Sequence, residues 1–198
     1  MLPIKTNVIG VDEVGRGAWA GPLVVAAVMF RAIPVIPSSI IIRDSKTLSA
    51  MQREKAAAFI RRHADIAIIV ASCEQVDSIG IQRANALAFQ KAARAVIKKS
   101  STPAEQVFVR ADGRRICDFS HTHEFLIKGD QKCQVIAAAS IVAKVWRDRC
   151  MVCLSKKYLQ YGFERNKGYG TKEHQEALRL NGLSPIHRQS FSLACYTQ

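Results

Sequence analysis

The chain has 198 residues, 48% of them hydrophobic and 23% charged, which suits one globular domain that needs neither a disulfide nor a metal to fold. Its 29 Lys and Arg against 16 Asp and Glu give a formal net charge of +13 and a pI near 9.8, pointing to a polyanionic partner, nucleic acid before membrane. The longest apolar run, Leu23 to Phe30, is far short of the ~20 residues of a spanning helix, and the opening Met1-Leu2-Pro3-Ile4-Lys5-Thr6 leaves no room for a signal peptide, so a cytoplasmic address with no membrane partner is expected.

In chain order, Val8-Ile9-Gly10-Val11 reads as a buried strand ending at Asp12, and Pro22 to Phe30 as a second, β-branched one. Ala32 to Ser39, with two prolines, reads as loop. Ser49 can cap a helix over Ala50 to His63. Ile66 to Val70 is a predicted strand, and Ala84 to Lys99 an alanine-rich helix closed by Ser100-Ser101-Thr102-Pro103. Val107-Phe108-Val109 predicts a strand leading to Asp112-Gly113, and Glu124 to Lys128 another. A long helix follows over Lys132 to Leu159, where Val135, Ala138, Val142, Trp146, Cys150 and Cys153 recur at helical spacing. After a polar stretch from Tyr161 to Gly170, Thr171 reads as the N-cap of a helix ended by Asn181-Gly182. A strand hairpin followed by mixed strands and helices predicts an α/β sheet covered by helices. Cys73, Cys117, Cys133, Cys150, Cys153 and Cys195 are scattered and read as reduced thiols.

Four acids stand at element ends. Asp12 and Glu13 close the first strand, and they can share one site only if the strand bends or ends there, which Gly15 and Gly17 would permit. Asp112 ends a later strand, where Asp-Gly alone is an ordinary turn. Asp130 precedes the long helix, where an N-cap is the ordinary reading. Gathered at one sheet edge, four carboxylates repel each other unless cations lie between them, and hard oxygen ligands suit Mg²⁺ or Mn²⁺. Two such ions activate a water and stabilise the leaving oxygen of a phosphodiester. Gly15-Arg16-Gly17-Ala18-Trp19-Ala20-Gly21 superficially suggests a dinucleotide loop, but its third glycine is one position late and a strand follows instead of a helix.

Asp12-Glu13-Val14-Gly15-Arg16-Gly17 with Gly21-Pro22 resembles the N-terminal signature of ribonuclease HII, the bacterial type 2 ribonuclease H. Asp44-Ser45-Lys46-Thr47-Leu48 resembles that family's next motif. Lys128-Gly129-Asp130 with the run from Ala137 to Arg149 resembles its central helix, and Gly168-Tyr169-Gly170-Thr171 and Ser184 to Phe191 resemble its C-terminal signatures. The resemblance runs in order from residue 8 to 191. It implies a ribonuclease H-like mixed five-stranded sheet flanked by helices, in one catalytic domain over residues 1–198, with a helical extension from about residue 160 over the substrate groove. It also implies an endoribonuclease that cuts the RNA strand of RNA–DNA hybrids, and cuts 5′ of ribonucleotides embedded in duplex DNA, leaving 3′-hydroxyl and 5′-phosphate ends.

The family's metal-binding acids carry over to Asp12, Glu13, Asp112 and Asp130, holding two Mg²⁺ or Mn²⁺ ions; Asp112 lies in a stretch more basic than the family's pattern, and Asp148 competes with Asp130 for the fourth place. Recognition of the ribonucleotide 2′-hydroxyl falls to Gly15, Arg16, Gly17 and Tyr169, and phosphate contacts to Ser45, Lys46, His187 and Arg188. A monomer is expected, and no docking peptide is evident after Phe191. The rival readings are a ribonuclease H-fold nuclease acting on DNA alone, such as a junction resolvase, and a non-catalytic nucleic-acid-binding module.

Overall fold

The computed structural model describes residues 1–193; of the predicted features, Cys195 lies outside them. Five strands form one sheet: β1 (Val8–Val14), β2 (Leu23–Phe30), β3 (Ala64–Ala71), β4 (Phe108–Asp112) and β5 (His123–Leu126), in the spatial order β3-β2-β1-β4-β5. β1, β2 and β3 form an antiparallel meander, while β4 and β5 are parallel to β1. The helices are α1 (Ala50–His63), α2 (Cys73–Ile79), α3 (Ile81–Ile97), α4 (Gly129–Lys132), α5 (Gln134–Ser155), α6 (Phe163–Asn166) and α7 (Lys172–Asn181). No helix among the described residues is long and apolar enough to cross a membrane.

Strand alternation gives β2 two buried faces, because helices cover both sides of the sheet. Val24, Ala26 and Val28 face α1 and α5, whose Ala56, Ile60, Val135, Ala139 and Val142 complete one core. Val25, Ala27 and Met29 face the other way, against Ala88, Phe89, Ala92 and Val96 of α3. α5 starts directly on β1: a methyl group at Gly10 would lie 2.1 Å from the Val135 carbonyl oxygen. Only a residue without a side chain lets the helix sit this low on the strand.

Three expectations change. The single helix over 132–159 is two, α4 and α5, broken at Cys133, which is extended (φ −138°) because the N-terminal segment bridges there: Leu2 N–H donates to Lys132 O and Gln134 N–H to Leu2 O. α2 was not anticipated; Ser72 and Gln75 form a reciprocal capping box that starts it. β1 neither bends nor ends at Asp12. It stays paired with β2 through Val14, so Asp12 falls on the α5 face and Glu13 on the α3 face.

Beyond α5, residues 159–193 form a satellite around Met151, Tyr161, Phe163, Ala177 and Leu178, with Trp19 and Ile186 packed against it. This unit grips the connection between β1 and β2. Trp19 N–H donates to Gly168 O, Arg188 N–H to Trp19 O, and Gly21 N–H to Ile186 O.

Candidate active site

The parallel register of β1 with β4 runs up to Val11 opposite Ala111, and Asp12 and Asp112 are the next residues of the two strands. Asp112 Oδ1 accepts the N–H of Gly129 at 2.5 Å, drawing in the start of α4 and with it Asp130. Asp12 and Asp130 are each only 4% exposed. Burial, then the charges of Glu13 and Asp112, push the Asp12 carboxyl well above the usual carboxylate range, against a hydrogen bond from Ser140. Burial and then Asp112 raise Glu13, opposed by Arg16 and by the Asn85 side chain. Burial, Asp112 and Asp44 raise Asp130, opposed by Lys46, whose Nζ lies 3.9 Å away. The charge of Asp112 thus bears on the other three, and although Glu13 faces the opposite side of the sheet, both line one cleft.

The four acids converge without forming a closed cage. Among the described residues no three His, Cys, Asp or Glu groups are placed to hold an ion as they stand. The donors nevertheless suit a hard divalent cation, which would relieve the repulsion that burial magnifies here. Asn85 Oδ1, buried with no hydrogen bond, is an acceptor that hydration water on such a cation would satisfy.

Asp44 is a fifth acid, unmarked in the sequence except as the start of Asp44-Ser45-Lys46. Its carboxylate accepts from Lys46 N–H at 3.0 Å and Gln131 Nε2 at 3.1 Å. Asp148 is held elsewhere, by Lys144 at 2.8 Å and Arg53 at 3.8 Å.

Gly15, Arg16 and Gly17 follow Asp12 and Glu13 after one residue, Val14, with Arg16 and Gly17 exposed. At φ 86°, Gly15 has a conformation and a packing no other residue fits: a methyl group there would lie 2.2 Å from Arg147 Nε. Arg147 is fully buried and donates to the carbonyls of Pro22 at 2.8 Å, Lys167 at 2.8 Å and Ala20 at 3.0 Å. Its guanidinium also lies 5.3 Å from the centre of the Tyr169 ring, which is half-buried beside the loop.

Three expected phosphate contacts are corrected by burial. Arg188, 0% exposed, spends its guanidinium on the carbonyls of Gly21 and Arg16 at 2.9 Å. Ser45 is buried with its hydroxyl on that of Ser140, 2.9 Å away. His187 is buried against His174, with Nε2 to Nε2 at 2.9 Å. Of that set only Lys46 is exposed. These side chains hold backbone and neighbouring side chains in place; sequence alone cannot separate an arginine that binds backbone carbonyls from one that binds phosphate.

The histidine pair has one self-consistent protonation. Ser184 N–H donates to His187 Nδ1, so His187 carries its proton on Nε2 and donates to His174 Nε2; His174 Nδ1–H then donates to the Tyr169 carbonyl at 3.0 Å. Burial, then His174, lower the His187 pKa from 6.5 to about 4. Between those values the unfolded chain holds the extra proton, so stability falls as pH drops through this window and levels off below it. We expect His187→Gln to flatten that part of the stability profile, measured by urea unfolding from pH 7 to 4; a profile parallel to the parent's would contradict the assignment.

A sequence model of the ribonuclease HII family matches residues 9–194. The chain is 45% identical over 186 residues to ribonuclease HII of Ruegeria pomeroyi, covering 93% of this chain and 76% of that protein. It is 41% identical over 187 residues to ribonuclease HII of Pelagibacter ubique, covering 92% and 94%. The crystal structure of ribonuclease H2 from Pyrococcus horikoshii superposes with a TM-score of 0.76 at 26% identity, over 95% of each chain.

Proposed function

Since the chain belongs to the ribonuclease HII family and is a ribonuclease H endoribonuclease, we propose that it cuts the RNA strand of RNA–DNA hybrids, and cuts 5′ of ribonucleotides embedded in duplex DNA, at a centre formed by Asp12, Glu13, Asp112 and Asp130. The observation that carries the site is the placement of Asp112, which lines one cleft with Glu13 and, through the Gly129 N–H, draws in the start of α4 and Asp130, beside the Gly15–Gly17 loop. When bound there, a pair of Mg²⁺ or Mn²⁺ ions would supply an activated water and charge stabilisation of the leaving 3′-oxygen. Asp12, Glu13, Asp112 and Asp130 would hold them, Asp12 and Asp130 from buried positions and Glu13 and Asp112 from the cleft wall. Ser140 Oγ, held by Ser45, orients Asp12, and Asn85 orients Glu13.

Selectivity for the ribonucleotide rests on the loop. Backbone groups at Gly15 and Gly17 can approach a 2′-hydroxyl, the local mark of RNA, and the Tyr169 ring, placed on Arg147, can pack under the neighbouring sugar. In this reading residues 159–193 cover the groove and set the loop's height, and Lys46 neutralises phosphate beside Asp130.

Three duplexes test this reading: all-DNA, all-hybrid, and DNA with one ribonucleotide, each with and without Mg²⁺. Cutting confined to the last two and dependent on the metal is expected, whereas equal cutting of all-DNA would favour a DNA nuclease. Tyr169→Ala should lower the rate at the single ribonucleotide on the order of tenfold or more while changing duplex affinity little. Parallel loss of both would make the tyrosine a holder of the duplex and no more.

A further inference from the structure

The cleft does not end at the acids. Glu13 and Asp112 form one side of a space of about 870 Å³ whose remaining wall carries Arg16, Arg83, Arg114 and Arg115. Arg83 stands in the first turn of α3, two residues before Asn85; Arg114 and Arg115 follow Gly113, where φ of 89° turns the chain out of β4. All four arginines are exposed. Arg115 is paired with Asp118, but among the described residues no salt bridge holds Arg16, Arg83 or Arg114.

Unneutralised guanidinium groups gathered from three separate segments repel one another, so the arrangement favours a polyanion. Their planar forks match phosphate oxygens. The wall lies on the α3 side of the acids, across from Lys46, which stands beside Asp130. A strand with its scissile phosphate at the acids therefore meets cationic groups on both flanks.

We propose that Arg83 and Arg114 form a phosphate track for the strand being cut, on one side of the scissile bond only. This rests on the assignment of the acids as the reacting centre. The track positions the strand without reading bases.

The test measures binding in an Asp12→Asn background, so that no substrate is consumed. Three duplexes carry one ribonucleotide: one long on both sides of it, one truncated upstream and one truncated downstream. Adding Arg83→Ala and Arg114→Ala should weaken the long duplex and one truncated duplex by about tenfold and reduce the salt-dependence slope by about 2. The other truncated duplex should bind as in the parent. Arg83→Lys with Arg114→Lys should restore most of the slope. Unchanged affinity and slope would overturn the track, as would equal weakening of all three duplexes matching a Lys5→Ala, Lys98→Ala control of the same charge loss. Cutting of the same duplexes by the unaltered protein reports separately on the acids, so failure of the track is distinguishable from failure of the centre.

Discussion

Asp12→Asn is expected to reduce cleavage of a ribonucleotide-containing duplex by a thousandfold or more, on the order of the loss when a catalytic group is removed, while leaving duplex binding equal or tighter. Both effects follow from one feature. Asp12 is buried between Glu13 and Asp112, and its carboxyl is raised well above its ordinary range, chiefly by burial. Its ionised form is therefore poorly tolerated until cations arrive, and it also repels an incoming phosphate. The same feature fixes the sign of a stability effect. For an acid whose folded pKa lies above its unfolded one, stability is greatest at low pH and falls as pH rises between the two values. Asn carries no such penalty, so at neutral pH without divalent metal the variant should melt at a higher temperature than the parent. Added Mg²⁺ should narrow the gap, because the parent, with all four carboxylates, gains more from binding it. A variant with residual turnover near the parent's, or a lower melting temperature in chelator, would contradict this account of Asp12.

Arg147→Met should cause the largest loss of stability. The substitution keeps the bulk of the stem but strands the carbonyls of Ala20, Pro22 and Lys167, which share one guanidinium. A buried unsatisfied acceptor costs roughly 1–3 kcal/mol. Against the sum stands the relief of no longer burying a charge, since among the described residues no salt bridge holds Arg147 and burial lowers its pKa. A net loss of about 3 kcal/mol is expected, or about 6–12 °C in Tm for a chain of this size. Because two of those carbonyls belong to the segment after Gly17 and the third stands two residues before Tyr169, discrimination between ribonucleotide and all-DNA duplexes should weaken at temperatures where the variant is still folded. A Tm within a degree or two of the parent's would show that the loop holds itself.

Much of the fold could be read from the chain because its cores follow simple periods. The β-branched run of β2 and the alanine-rich face of α3 each announce an element and the side it buries; the seam of α5 does so only in its first half, because beyond it Arg147, Met151 and Ser155 are buried and Cys153 is exposed. The break at Cys133 was not legible, since it depends on Leu2, far away in sequence, pairing beside it. Capping chemistry marks α2 at Ser72 and Gln75, but the helix is too short to show a period. Asp12, Glu13, Asp112 and Asp130 stood out as charges where buried strands end or a helix begins; in the structure Glu13 and Asp112 line one cleft, but among the described residues no three acids are placed to hold an ion as they stand. Their opposite-facing start could not be inferred, because it depends on how far β1 stays paired with β2. Least legible were Ser45, His187 and Arg188. Their residue types suit phosphate, and only burial and partners show that they hold backbone and neighbouring side chains instead.

The most direct measurement maps the cut ends on a DNA duplex with one ribonucleotide, with Mg²⁺ and with chelator. Hydrolysis at the carboxylate centre predicts cutting only with the metal, at the phosphodiester 5′ of the ribonucleotide, leaving a 3′-hydroxyl upstream and a 5′-phosphate downstream. Cutting that persists in chelator, or ends carrying a 2′,3′-cyclic phosphate from attack by the ribose itself, would contradict it.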